Sequence, residues 1–81
     1  MIQTELFMYD IDEHPPVSDF ASPIFYVSTY DGKPGTQIGQ YDGSGRDWKA
    51  YSSFSIVGHY FSSVDECEEF ILSAYVTWLT R

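Results

Sequence analysis

Residues 63–79 read Ser63-Val64-Asp65-Glu66-Cys67-Glu68-Glu69-Phe70-Ile71-Leu72-Ser73-Ala74-Tyr75-Val76-Thr77-Trp78-Leu79, and their periodicity predicts a helix near the C-terminal end. Ser63, followed three residues later by Glu66, fits a capping box. Val64, Cys67, Ile71, Ala74, Tyr75 and Trp78 recur at helical spacing, with Phe70, Leu72 and Leu79 on the flanks. At one residue per ~100° the apolar sector is on the order of 200° wide, broader than a core-facing surface helix requires. Such a helix lies deep against a sheet, or its flank meets another chain.

Upstream of it the chain reads as strands. Glu5 to Ile11 is rich in strand formers and is closed by Asp12-Glu13-His14 and the Pro15-Pro16 pair. Residues 17–22 read as an irregular connection closed by Pro23, and Ile24 to Tyr30 is the clearest strand. Asp31-Gly32-Lys33-Pro34-Gly35 is a hairpin turn signal. Thr36 to Tyr41 follows as a weaker strand, in which Gly39 marks a bulge or a close approach. Asp42 to Asp47 reads as a second turn. From Trp48 to Phe61 alternation returns: Trp48, Ala50, Ser52, Phe54 and Ile56 share one face, while Gly58 kinks, ends or divides the strand. Short connections favour a meander over parallel crossovers. The expected architecture is one α+β domain over residues 1–81. It has three or four antiparallel strands and one C-terminal α-helix packed on a single face.

Composition narrows the function classes. The chain has 81 residues, 43% of them hydrophobic and 19% aromatic, enough large apolar surface for a small core despite a formal net charge of −8. Lys33, Arg46, Lys49 and Arg81 are the only bases, too few to face a phosphate backbone or an anionic membrane. The single cysteine, Cys67, forms no internal disulfide, and the start of the chain lacks the pattern of a signal peptide. A cytoplasmic setting is expected.

Catalytic and metal chemistry find no motif. Cys67 sits in the apolar stripe among carboxylates that would raise its thiol pKa, so it reads as a core residue. His14 and His59 have no metal-ligand spacing around them. The stretch Asp42-Gly43-Ser44-Gly45-Arg46-Asp47 lacks the acidic twelfth position of a calcium loop and the Lys-Ser/Thr of a phosphate loop. No enzyme activity, metal or cofactor is expected.

The acids fall into two groups. Residues 1–31 carry six acids and no base, and the helix start carries Asp65, Glu66, Glu68 and Glu69. Acids in a first turn complement the helix dipole, which accounts for part of the second group. If the groups met in space they would form one negative surface that steers the chain to a basic partner. The expected partner-binding residues are Asp10, Asp12, Glu13, Asp65, Glu66 and Glu69. Tyr9, Tyr30 and Tyr41 would supply the uncharged contacts, since tyrosine is an apt interface anchor. Phe25, Trp48, Phe54, Phe61, Phe70 and Trp78 are expected in the core.

In size, charge and outline, although not in any residue motif, the chain resembles the small acidic inhibitors that bacteriophages encode against host defences, the anti-CRISPR proteins and DNA mimics. It is similar in the same way to the acidic immunity proteins that neutralise toxins. The resemblance implies a non-enzymatic protein that blocks the basic, nucleic-acid-binding surface of a machine such as a CRISPR effector complex. It identifies no site residue. A different expectation is a structural or assembly protein that dimerises through the wide helical stripe, with Leu72, Val76 and Leu79 between chains.

Overall fold

Alternation of apolar and polar residues, interrupted by Gly and Pro, builds six antiparallel strands in the computed structural model, which describes residues 2–3, 7–16, 18, 21–30, 34–55 and 57–80. They are β1 (Ile2–Gln3), β2 (Met8–His14), β3 (Ile24–Tyr30), β4 (Pro34–Ser44), β5 (Asp47–Ser52) and β6 (His59–Phe61), followed by α1 (Val64–Leu79). The sheet order is β1-β2-β3-β4-β5-β6, a meander in which every neighbour in sequence is a neighbour in space. The α+β class and the single C-terminal helix agree with the sequence reading. The strand number exceeds the expected three or four because β1 is a two-residue pairing and the long stretch from Trp48 to Phe61 is two strands.

That division has a local cause. Ser52 is buried at 3% exposure, and its Oγ accepts from the Phe54 backbone N–H at 3.1 Å, drawing the chain into a turn. Ser55 N–H then donates to the Ser52 carbonyl at 3.2 Å. The break therefore comes at Ser53, ahead of Gly58. The turn expected over Asp42–Asp47 is likewise narrower: the ladder continues through Ser44↔Asp47, leaving Gly45 and Arg46 as a two-residue hairpin loop. Gly45 supplies the positive φ of 59° that the loop requires, and its carbonyl accepts from the Trp48 indole N–H at 2.9 Å. Of the turn expected at Asp31–Gly35, residues 31–33 lie outside the described residues, as do Glu5, Val17, Asp19, Ile56 and Arg81.

The β3–β4 ladder shifts register twice, after Val27 and after Ser28. Thr29 bridges the gap: its Oγ1 accepts from the Thr36 backbone N–H at 3.0 Å and so satisfies a group that the irregular ladder leaves over. Residues directly opposite in an antiparallel pair share a face, and this fixes the two sides of the sheet. One side carries the rows Glu13–Phe25–Tyr41–Ala50–His59 and Ile11–Val27–Gly39–Ser52. The other carries Asp12–Tyr26–Gln40–Tyr51 and His14–Ile24–Asp42–Lys49–Tyr60.

Helix α1 crosses the first side. It packs chiefly on β5, then β4, and only lightly on β6. Ser63 caps its start: the Oγ accepts from the Glu66 N–H at 3.3 Å and donates to the Glu66 carboxylate at 3.1 Å. Under the helix, Tyr9, Val27, Ile38, Tyr41, Ala50, Cys67 and Ile71 form the buried core, and Phe7, Phe25, Trp48, Phe61, Phe70, Leu72 and Tyr75 surround it. Two aromatic expectations change here. Phe54 and Trp78 are 37% and 46% exposed, because they stack on each other at the last turns of α1, beyond the end of β5. Among the described residues no helix is long and apolar enough to cross a membrane.

Candidate functional site

Strand alternation separates the acids that the sequence grouped. Asp10 and Asp12 are out of phase with the buried Tyr9, so they fall on the side of the sheet away from α1, opposite Ser28 and Tyr26. Asp65, Glu66 and Glu69 are exposed on the first turns of α1, on the other side. Glu13 is exposed at the end of β2, in the helix-side phase. The sheet therefore separates Asp10 and Asp12 from the helix acids, and of the described acids of the first group Glu13 alone shares their side. Among the six acids of residues 1–31, Glu5, Asp19 and Asp31 lie outside the described residues.

Two of the expected tyrosine anchors are core residues. Tyr9 is 7% and Tyr41 3% exposed, and both sit under α1. The Tyr41 ring stacks on Phe25 at 5.0 Å, and burial pushes its phenol far above the ordinary range. Burial, with the Glu68 carboxylate nearby, also raises Tyr9. Neither ring is available to a partner. Tyr30 is half-buried on the open side, where it pairs with Met8.

The open side carries a second group that composition alone did not reveal. The Lys49 ammonium lies 5.1 Å from the Tyr51 ring centroid and 5.0 Å from that of Tyr60, and hydrogen bonding to the two phenols raises its pKa. One of the two described bases is thus held by tyrosines. The other, Arg46, is at the β4–β5 turn. Between Lys49 and Arg81 the sequence holds no Lys or Arg, so α1 presents its acids without a cation of its own.

The flank of α1 facing β6 gathers the remaining features. Glu66, Glu69, Phe70, Ser73, Ala74, Thr77 and Trp78 follow the i, i+3, i+4, i+7, i+8 pattern, which places them on one helical face. Between this face and the edge strand are two adjoining hollows that share Phe70. One, of about 300 Å³, is lined by Phe61, Glu66, Glu69, Phe70 and Ser73. The other, of about 240 Å³, is lined by Ser52, Phe54, Ser55, His59, Phe70, Ala74, Thr77 and Trp78. Phe70 forms their shared wall, 4.6 Å from the His59 ring and 5.5 Å from that of Phe61. The groove is acidic at the helix start and aromatic at its far end. The helical spacing was visible in the sequence, but whether Phe70, Ala74 and Trp78 face the sheet or its edge depends on where α1 crosses.

Glu66 is partly committed to the cap, since its carboxylate also accepts from the Ser62 hydroxyl at 2.8 Å. Glu69 and Asp65 are the outward acids. Glu68 turns inward: it is half-buried, and desolvation first and Asp65 second raise its carboxyl above the ordinary 4.5. An acid with a raised folded pKa favours the folded state when protonated, so its ionisation costs stability above that pKa. The cost disappears as pH falls to the unfolded value. Glu68→Gln is therefore expected to melt above wild type at pH 7, with a difference that shrinks as pH falls toward 4.5. Thermal melts across that range check it, and a pH-independent difference would contradict it.

Cys67 is fully buried, and its thiol is pushed up to about 11 by burial first and by Glu66, Glu68 and Asp42 after it. Among the described residues, no group of three or more His, Cys, Asp or Glu side chains is arranged to hold a metal ion. Compared with protein-family models, with curated proteins and with solved structures, the chain finds no match.

Proposed function

We propose that this chain is a non-enzymatic binding protein that occupies a basic, nucleic-acid-binding surface of a protein machine, a CRISPR effector being one candidate. The observation that carries this reading is the base-free helix α1, whose first turns expose Asp65, Glu66 and Glu69, the last two lining a groove that is aromatic at its far end. Carboxylates on a rigid helix offer a cationic groove the charge it would otherwise take from phosphates. The contact is assigned to the helix side, with Asp65, Glu66 and Glu69. Asp10 and Asp12, across the sheet, serve as an internal control.

The test is capture of proteins from a lysate of the source cells, identified by mass spectrometry. A nucleic-acid-binding protein is expected, and a DNA or RNA oligonucleotide should displace it. The double change Asp65→Lys and Glu69→Lys should weaken the complex by about tenfold or more, and Asp10→Lys with Asp12→Lys by much less. Raising salt from ~50 to ~500 mM should weaken the wild-type complex as well, because screening shortens the reach of surface charge. A complex indifferent to salt and to the helix reversal would overturn the proposal. The immunity-protein alternative uses the same surface, and capture of a toxin would select it. Of the residues of the homodimer reading, Leu79 is 44% exposed at the end of α1, whereas Leu72 and Val76 are half-buried and Leu72 packs against the core of its own chain. Two chains of charge −8 oppose that pairing electrostatically.

A further inference from the structure

We infer that the groove between α1 and β6 is a docking site for one extended, basic segment of the partner protein, a segment that carries a single apolar anchor. This deepens the proposed function and rests on it. The occupant follows from the two ends of the groove. Glu66 and Glu69 line the hollow at the helix start, so that end takes Lys or Arg. Phe54, Phe70, Ala74 and Trp78 line the other, so that end takes an aliphatic or aromatic side chain.

The edge strand forms one wall. β6 is the last strand of the sheet, and α1 leans on it lightly, which leaves the flank of the helix open along its length. Trp78 and Phe54, stacked at 4.8 Å, stay 46% and 37% exposed, so the far hollow keeps an apolar lip in water. A second copy of this chain is a poor occupant. It would bring a charge of −8 to a groove already acidic at one end. A basic segment brings the complementary charge.

The spacing of the two ends defines the segment further. The acids at positions 66 and 69 lie five to twelve residues from Ala74 and Trp78, and between the midpoints of the two pairs the rise is about 13 Å along a helix at ~1.5 Å per residue. An extended chain covers that in about four residues at ~3.3 Å each. The anchor should therefore follow or precede the basic pair by about four positions.

Three synthetic probes test this by titration into the isotope-labelled protein: Ac-Lys-Arg-Ser-Gly-Ser-Leu-amide, the same peptide ending in Ser, and Ac-Ser-Ser-Ser-Gly-Ser-Leu-amide. The Trp78 indole resonance should move saturably with the first peptide, at least fivefold more tightly than with either control. The Trp48 indole, bonded to the Gly45 carbonyl, should stay in place. Ala74→Leu, which fills the apolar hollow, should weaken the first peptide to the level of its Ser-ended control. Thr77→Leu, at an exposed position on the same wall, gives a second filling variant should the first disturb folding. Equal binding of the first two peptides, or shifts centred on Tyr26 and Tyr51 across the sheet, would overturn the groove assignment. So would movement of Trp78 with protein concentration alone, which would place a second copy there. Loss with Glu69→Lys but none with Ala74→Leu overturns the groove and leaves the charge-driven reading intact. Peptide binding unaffected by Glu69→Lys and by salt overturns both.

Discussion

Ile71→Ala is expected to cost about 2–5 kcal/mol, the range for truncating a fully buried aliphatic side chain in a core that relaxes only in part. Ile71 is 0% exposed at the middle of α1, and it packs on Gly39, where a Cβ would lie 2.6 Å from Ile71 Cγ2. The glycine is what lets the helix come this close to β4. For a chain of this length the loss is a large part of total stability, and at ~4–8 °C per kcal/mol it lowers the melting temperature by tens of degrees at the upper end. Urea unfolding with an unchanged m-value is the measurement.

Gly39→Ala approaches the same contact from the other side. The new methyl would meet Ile71 and also the Tyr51 carbonyl oxygen, at 2.7 Å. Overpacking of this kind costs about 1–3 kcal/mol. Combined with Ile71→Ala, the glycine change should cost less than it does alone, because the side chain it strikes has gone. Recovery stays partial, since Tyr51 contributes backbone that cannot move aside. A double-mutant cycle showing strict additivity would mean that helix and strand do not meet at this point.

The helix, its cap and the meander were legible because each depends on a short window: a 3.6-residue period, a Ser63–Glu66 pair, or Gly and Pro at turns. Even the phase of β5 was readable, since Trp48, Ala50 and Ser52 do share the helix side. What failed involved relations between distant windows. Tyr9 and Tyr41 resemble Tyr26 and Tyr51 as letters, and only strand pairing under a helix decides which rings are dry. The acidic groups presented the same difficulty. Asp10 and Asp12 follow the buried Tyr9 by one and three positions, so their phase put them on the open side once Tyr9 was known to be core. Phe54 and Trp78 count as core by hydrophobicity, yet a turn after Ser52 and the last turns of α1 leave them at the rim. That same rim produces the apolar end of the groove, which is why the candidate site was less visible than the fold.

Tyr41→Ala is the sharper test of that distinction, with an expected loss of about 3–5 kcal/mol, as for other buried aromatic truncations. Tyr41 pairs with Phe25 on one side and Ala50 on the other, stacks on Phe25 at 5.0 Å, and meets the Trp48 ring edge-on at 6.1 Å. Deleting it opens the centre of the sheet beneath α1. Tyr41→Phe keeps the ring and removes at most one hydrogen bond, so it should cost about 1 kcal/mol or less. Tyr60→Ala, at a residue 77% exposed whose ring gives up its contact with Lys49, should cost about 1 kcal/mol or less. Alkali gives an independent check. A phenol held above its ordinary value of 10.0 favours the folded state while protonated, so its contribution falls as pH rises past 10. Ultraviolet titration should then show buried tyrosine ionising late, as the chain unfolds, and the amplitude of that step should fall in Tyr41→Phe to the share that Tyr9 contributes. A Tyr41→Ala protein that melts like wild type but loses its partner would return this ring to the surface and displace the core from the middle of the sheet.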